Sequence, residues 1–224
     1  MQERPAPAGS RRVVSGETKR LATCVVATGI VLGGMGFARA DPSSIAGGTG
    51  IDAEWDASWA AYEAEEDAAG PELVSVTVDL PITIGAPLDR VFPAYSDVYN
   101  GFGRHPFLHG VLPRRHYLED GAEVSEFIAL EDIPAGPALI PGRTVAQQRV
   151  HADGHWYTSD TWDAPGVITH QTVTFAEQDG VTDVVEHLTF VAPAALIDYT
   201  VQNGVSSHLA YQSALARDLE DGTL

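Results

Sequence analysis

Three Asp-Gly dipeptides, at 120–121, 153–154 and 179–180, each stand between runs with the residue pattern of β-strands. Asp-Gly suits a tight hairpin because both turn positions take positive φ, which Gly adopts freely and Asp tolerates. Asp163-Ala164-Pro165-Gly166 supplies a further reversal. The strands so divided run approximately over Arg115–Glu119, Ala122–Ile133, Arg143–His151, His155–Trp162, Val167–Glu177 and Thr182–Val191. Hairpins make neighbours antiparallel, so this half of the chain reads as a six-strand meander.

Elements on either side complete the pattern. Leu73 to Ile84 alternates Val74, Val76, Val78 and Leu80 with Ser75, Thr77 and Asp79, which is the period of a further strand. Ala86-Pro87-Leu88-Asp89 then opens a short helix with proline at its first position, and Pro93 limits its regularity. The stretch from Asn100 to Arg115, rich in glycine, proline and histidine, reads as loop or short helix. Pro193 begins a long helix on which Ile197, Val201, Val205, His208, Gln212, Leu215 and Leu219 follow at steps of three and four, one continuous face.

The N-terminal part has a different character. Arg4, Arg11, Arg12, Lys19 and Arg20 precede an apolar run from Leu21 to Phe37, and Ala38-Arg39-Ala40 follows with the small-x-small pattern of signal-peptidase cleavage. Residues 1–40 are therefore expected to be a signal peptide, and the mature protein to be secreted or associated with the cell envelope. Ser10-Arg11-Arg12-Val13-Val14 resembles a twin-arginine motif with valine in place of phenylalanine, so both the Tat and the Sec route stay open. Residues 41–50 have linker composition, and Asp52 to Ala69 reads as an amphipathic helix with Trp55, Trp59 and Tyr62 at helical spacing, ended by Gly70-Pro71. That aromatic face suits docking on the rest of the domain, a lid over a pocket, or contact with a protein or membrane partner.

Beyond Ala40 the chain holds seven arginines, no lysine and 29 acidic residues, a formal charge of −22. Such a surface repels nucleic acid and anionic headgroups. Cys24, the only cysteine, lies within the signal segment, so the mature domain has no disulfide and no thiolate chemistry. Its stability has to come from a hydrophobic core, for which roughly 180 residues suffice.

Strand, short helix, antiparallel meander and long C-terminal helix follow one another as in the helix-grip fold. Residues 73–220 resemble the START-like (SRPBCC) superfamily, in particular its polyketide cyclase/dehydrase-like and lipid-transport-like branch. The stretches that carry the resemblance are Val76-Thr-Val-Asp-Leu-Pro-Ile-Thr-Ile84, Ala86-Pro-Leu-Asp-Arg-Val-Phe92, Tyr95-Ser-Asp97, His105-Pro106-Phe107 and Gly180-Val-Thr-Asp-Val-Val-Glu-His-Leu-Thr-Phe190. It implies an α+β domain over 73–224, with a curved antiparallel sheet of about seven strands around the C-terminal helix. It also implies a cavity between the two for a hydrophobic or amphipathic small molecule, which some members only carry and others transform.

Candidate ligand-binding residues follow from where polar groups interrupt apolar faces. His208 and Gln212 break the stripe of the helix that should roof the cavity. In the last strand Glu186 and His187 point to opposite faces, and His187, sharing its face with Val185, Thr189 and Val191, is the one expected inside. Trp156, Thr158, Asp160 and Trp162 share one strand face and Tyr157, Ser159 and Thr161 the other; with the lining face undecided, Trp156 and Tyr157 are both candidates. His105 is expected near the cavity mouth. Glu126 and Arg149 read as solvated charges or as a buried pair.

His105 with His109, and His151 with His155, have spacings that could hold a metal, but Pro106 and Gly103 spoil one helix and the other pair brackets a hairpin turn, so no metal site is expected. Gly204-Val-Ser-Ser-His208 lacks the last glycine of a nucleophile elbow, and zinc-helix, phosphate-loop and dinucleotide motifs are missing from the sequence, so no cofactor is expected either. A carrier of a hydrophobic compound should show mainly apolar cavity walls. A cyclase/dehydrase-type enzyme should show a histidine or carboxylate within hydrogen-bond reach of another polar group inside the cavity.

Overall fold

The computed structural model describes residues 49–68, 73–164 and 166–224. The expected signal peptide, nearly all of the linker, the Gly70-Pro71 helix stop and Pro165 lie outside these residues. The element order is α1 (Thr49–Ala68), β1 (Leu73–Ile84), α2 (Leu88–Ser96), a 3-10 turn (Val98–Gly101), β2 (Leu108–Glu119), β3 (Ala122–Ala135), β4 (Ala138–His151), β5 (Trp156–Asp163), β6 (Val167–Gln178), β7 (Val181–Pro193) and α3 (Ile197–Glu220).

The strands form one seven-stranded antiparallel sheet in the order β1-β7-β6-β5-β4-β3-β2. β2 to β7 are the expected meander, and β1 returns to pair with β7 along its whole length, from Leu73 opposite Pro193 to Ile84 opposite Thr182. Asp120-Gly121 (φ 50 and 81) and Asp179-Gly180 (φ 56 and 78) are hairpin turns with both residues left-handed, as the dipeptide predicts. Asp153-Gly154 differs. Ala152–Gly154 make a 3-10 turn, and the left-handed residue is His155 (φ 48), whose N–H bonds the carbonyl of Ala152 at 3.2 Å.

Three strands are markedly longer than the sequence pattern suggests. β2 begins at Leu108 rather than Arg115, with register shifts at Leu108/Gly110 and Pro113/Arg115. These bulges accommodate residues that break a regular ladder and that disguise an edge strand as loop. β3 and β4 likewise run on to Ala135 and from Ala138, through Pro134 and Pro141, around a left-handed Gly136. α3 starts at Ile197, not Pro193, because β7 continues through Pro193 before the chain turns.

The sheet's concave side packs on α2 and α3. Ile84, Val91, Tyr95, Tyr157, Val173, Val184, Leu215 and Leu219 make one core cluster. Leu80, Leu188, Phe190, Ala192 and Ile197 make a second, nearer the start of α3. Each such side chain contributes about 1.5–3 kcal/mol by leaving water.

The convex side is covered by α1. Trp55 and Tyr62 are only 4% and 7% exposed, and Trp55 packs on Ile128 and Val145 with Trp59, Leu112 and Trp162 alongside. Trp55 stacks on Trp59 with ring centroids 4.7 Å apart. Arg114 of β2, its side chain 2% exposed, reaches Asp52 at 3.1 Å and Asp56 at 2.5 Å, pairs with Glu126 of β3, and lies over the Trp55 ring at 4.2 Å. Arg143 binds Glu54 at 2.5 Å. Of the readings of the α1 aromatic face, docking on the rest of the domain is the one found; it is buried on the sheet side opposite the cavity and is neither a lid nor a free partner surface. The reading of Glu126 is corrected. Glu126 is not a solvated charge, nor paired with Arg149, which bonds Glu119 at 2.6 Å instead.

Candidate functional site

Near the start of α3 the helix and the sheet separate enough to leave a cavity of about 390 Å³. That lies toward the lower end of the range for small-molecule sites. Inward-facing residues alternate along the strands: Phe127, Ala129, Glu131 and Ile133 of β3, Thr144 and Ala146 of β4, Ser159, Thr161 and Asp163 of β5, Thr169 and Gln171 of β6, and Phe190 of β7. The roof is α3, through Tyr199, Asn203, Gly204, Ser207 and His208, and His105 with Phe107 closes one side. Gly204 is required by the close approach of α3 to the sheet, since a Cβ there would stand 2.5 Å from Cε1 of Phe190. At the other end the Tyr199 hydroxyl donates to the carbonyl of Pro134, joining α3 to the tip of β3.

Within these largely apolar walls the polar groups form two clusters. In the first, the Thr144 hydroxyl lies 2.7 Å from Oε2 of Glu131 and 2.5 Å from Oδ1 of Asp163. A hydroxyl has one hydrogen, so Thr144 donates to one carboxylate and accepts from the other, which must itself carry a proton. Burial pushes Asp163 up to about 7; the Glu131 charge acts in the same direction and the Thr144 hydrogen bond against it. Burial also raises Glu131, against the Thr144 hydrogen bond and the His208 charge. Burial thus favours a proton on the pair, and Asp163 is the better holder.

In the second cluster, Nδ1 of His208 is 2.7 Å from Oε2 of Glu186, which is fully buried on β7 and also accepts from Gln171 at 3.0 Å. Burial alone would lower His208, but the charge and hydrogen bond of Glu186, with the charge of Glu131, raise it. His105 behaves in the opposite way: burial, reinforced by the His208 charge, pushes it down to about 3. Its Nδ1 accepts the backbone N–H groups of Leu108 at 3.3 Å and Phe107 at 3.4 Å, which places the proton of the neutral ring on Nε2. The two imidazoles meet edge to face, with centroids 6.0 Å apart.

Of the residues singled out from sequence, His105 and His208 line this cavity. Gln212 does not. It is buried, and its amide donates to the carbonyl of Leu80 at 3.1 Å, fastening α3 to β1. The expected orientation of β7 is reversed: His187 is exposed on the convex side and bonds Asp79 of β1 at 2.6 Å, whereas Glu186 faces inward. Both faces of β7 are apolar enough to read as inside, and only the cross-strand partners decide between them. Tyr157 points to the concave side but packs in the closed core beyond the cavity, on Phe175 at 6.3 Å. Trp156 stacks on His151 at the hairpin, ring centroids 3.7 Å apart, away from the cavity. Glu131, Thr144 and Asp163 come from three strands and escaped sequence reasoning. Asp163 looked like a turn residue, and no local spacing links it to Glu131.

No protein-family model matches the chain, and no curated protein matches its sequence. Solved structures do resemble it. The ZhuI aromatase/cyclase from Streptomyces sp. R1128 superposes with a TM-score of 0.50 at 15% identity, covering 65% of this chain and 96% of that one. TTHA0849 from Thermus thermophilus gives 0.46 at 15%, covering 65% and 95%. The di-domain aromatase/cyclase StfQ of the steffimycin pathway gives 0.46 at 19%, covering 65% of this chain and 46% of that one. At such identities the likeness to the Streptomyces protein is one of fold: this chain has the α+β helix-grip architecture that its START-like resemblance implied.

Proposed function

We propose that the protein is an acid–base enzyme of the cyclase/dehydrase type that acts on a mainly apolar, oxygen-bearing small molecule in the cavity between sheet and α3. The observation that carries this reading is the Thr144 hydroxyl bridging the Asp163 and Glu131 carboxyl groups inside otherwise apolar walls. A plain carrier has no use for two carboxyl groups desolvated at its ligand, whereas proton transfer near neutral pH favours groups tuned as Asp163 is. The fold shared with an aromatase/cyclase adds an argument from analogy only.

The chemistry the cluster suits is a cyclisation followed by loss of water. The ionised carboxyl takes a C–H proton from a carbon between two carbonyls, and the resulting enolate carbon attacks a second carbonyl carbon of the same molecule. The carboxyl that took the C–H proton returns it to the alkoxide and, ionised again, takes the second proton from the carbon between the carbonyls; the C=C bond forms as the neutral Asp163 carboxyl delivers its proton to the departing hydroxyl, which leaves as water. A short poly-β-keto thioester tests this, followed by the absorbance of its aromatic product. The wild-type protein should accelerate product formation, and Asp163→Asn should lower the rate by about 10²–10⁴-fold. A compound that binds but is not converted, with Asp163→Asn indistinguishable from wild type, would leave the carrier reading in its place. The apolar share of the walls favours that second reading, as an exported holder of a hydrophobic compound.

Export is proposed from the basic, apolar and Ala38-Arg39-Ala40 segments of the sequence. Intact-mass measurement of protein recovered from the secreted and envelope fractions should show a mature chain beginning at Asp41. A full-length chain confined to the cytosol would overturn it.

A further inference from the structure

The two imidazoles carry a second message about the ligand. His208 is held from behind, its Nδ1–H donating to the buried Glu186 carboxylate, and His105 is held in the opposite sense, its Nδ1 accepting two backbone N–H groups. In each ring one nitrogen is thus committed to the protein and Nε2 has no hydrogen-bond partner among the described residues; in His105 it carries the hydrogen of the neutral ring, and in His208 it carries one when the ring is the imidazolium paired with Glu186. Both residues line the cavity, and the rings stand 6.0 Å apart at 87°. An acceptor oxygen lodged in the cavity against both rings would meet a donor from each, the arrangement that stabilises developing negative charge.

We propose that His105 and His208 form an oxyanion-binding pole, and that the natural ligand is an acidic enol or phenol bound through its ionised oxygen at that pole. This rests on the reading of the cavity as an acid–base site and names the substrate class for it. The other charged groups that face the pole fit the assignment. Glu186, on β7, neutralises His208 from the side away from the cavity. Glu131 lies 4.0 Å from Nδ1 of His105, beyond hydrogen-bond reach, and is joined instead to Asp163 through the Thr144 hydroxyl. The acid–base cluster thus lies on β3, β4 and β5 and the donor pole on α3 and the loop before β2, one to move protons and the other to hold the oxygen on which charge collects. Phe107 and Phe127, also in the wall, suit the flat apolar body of such a ligand.

4-Nitrophenol serves as the probe, because its phenolate absorbs visibly and its ionisation is read directly, with 4-nitroanisole as the control that cannot ionise. On binding, the ionisation midpoint of 4-nitrophenol should move to lower pH by about one unit, the direction an adjacent cation and N–H donors impose. His208→Gln should abolish the shift. If that variant does not fold by circular dichroism, His105→Gln supplies the same test and should reduce it. Asp163→Asn should keep the shift although it loses turnover, so the pole and the acid–base cluster fail separately. A midpoint that rises, a shift that survives both histidine substitutions, or tighter binding of 4-nitroanisole than of 4-nitrophenol would each overturn the proposal.

Discussion

Burial acts on Asp163 and His105 in opposite directions, because it disfavours whichever form is charged. Asp163, raised from 3.8 to about 7, keeps a proton in the folded protein that it loses when unfolded. Its contribution to stability is therefore full below the unfolded value and lost as pH rises through about 7. Asn at 163 cannot ionise, yet it can still donate to and accept from Thr144. Relative to wild type, Asp163→Asn should accordingly gain stability between pH 5 and pH 8, read as urea midpoints across that range. His105, lowered from 6.5 to about 3, has the opposite sign. It stabilises the fold above the unfolded value, and that contribution is lost as pH falls through the interval toward about 3. His105→Gln should flatten the acid limb of the same stability profile, and an acid limb as steep as that of wild type would show that the ring is not neutral and buried in the folded state.

At the scale of elements, α1 and α3 are fixed by different means. α1 is held to the convex face by aromatic packing and by Arg114, whose removal leaves the Glu126 carboxylate with the Tyr117 hydroxyl, 2.9 Å away, and a long 3.4 Å bond from the Gln147 amide. Breaking such a buried pair from one side costs about 3–5 kcal/mol, so Arg114→Ala should lower the urea midpoint sharply. The double substitution Arg114→Met with Glu126→Met should recover most of that loss. α3 is held close by Gly204 on Phe190, and Gly204→Ala should destabilise by about 1–3 kcal/mol despite alanine's better helix propensity, because the ring has to move. At its first turn, Tyr199→Phe frees the Pro134 carbonyl at the cavity mouth. Losing about 1 kcal/mol there should raise both association and dissociation rates of an apolar fluorescent probe by about fivefold while leaving its Kd nearly unchanged. The elements themselves were largely legible, since strand alternation, Asp-Gly turns and helical spacing are local. What stayed hidden was set by distant partners: β2 begins before its prolines because β3 supplies the ladder, and Glu186 rather than His187 faces inward because His208 and Gln171 await it.

Beyond Ala40 the protein is an acidic shell around a largely apolar core whose few buried charges are paired, and the site was illegible for a reason of the same kind. Glu131 and Asp163 are two among 29 acidic residues beyond Ala40, and only the curvature of the sheet turns them away from solvent and toward each other. Most of the remaining carboxylates have no cation to meet. Of seven arginines in that part, Arg104, Arg114, Arg143 and Arg149 already form ion pairs. The excess charge of −22 repels itself across the surface and opposes the compact state. Salt shortens the reach of that repulsion, from a Debye length of about 30 Å at 0.01 M to about 3 Å at 1 M. It also weakens exposed pairs such as Arg149 with Glu119, which are worth about 0–1 kcal/mol each, but barely reaches Arg114, whose side chain is 2% exposed. The balance favours the folded state as salt rises. Tm measured by circular dichroism should therefore climb between about 0.01 M and about 1 M sodium chloride, and potassium chloride should do the same, because screening depends on ionic strength and not on the ion. A Tm that falls with salt would mean that the pairs anchoring α1 are more exposed to screening than their burial implies, and Arg114→Ala would then remove the fall.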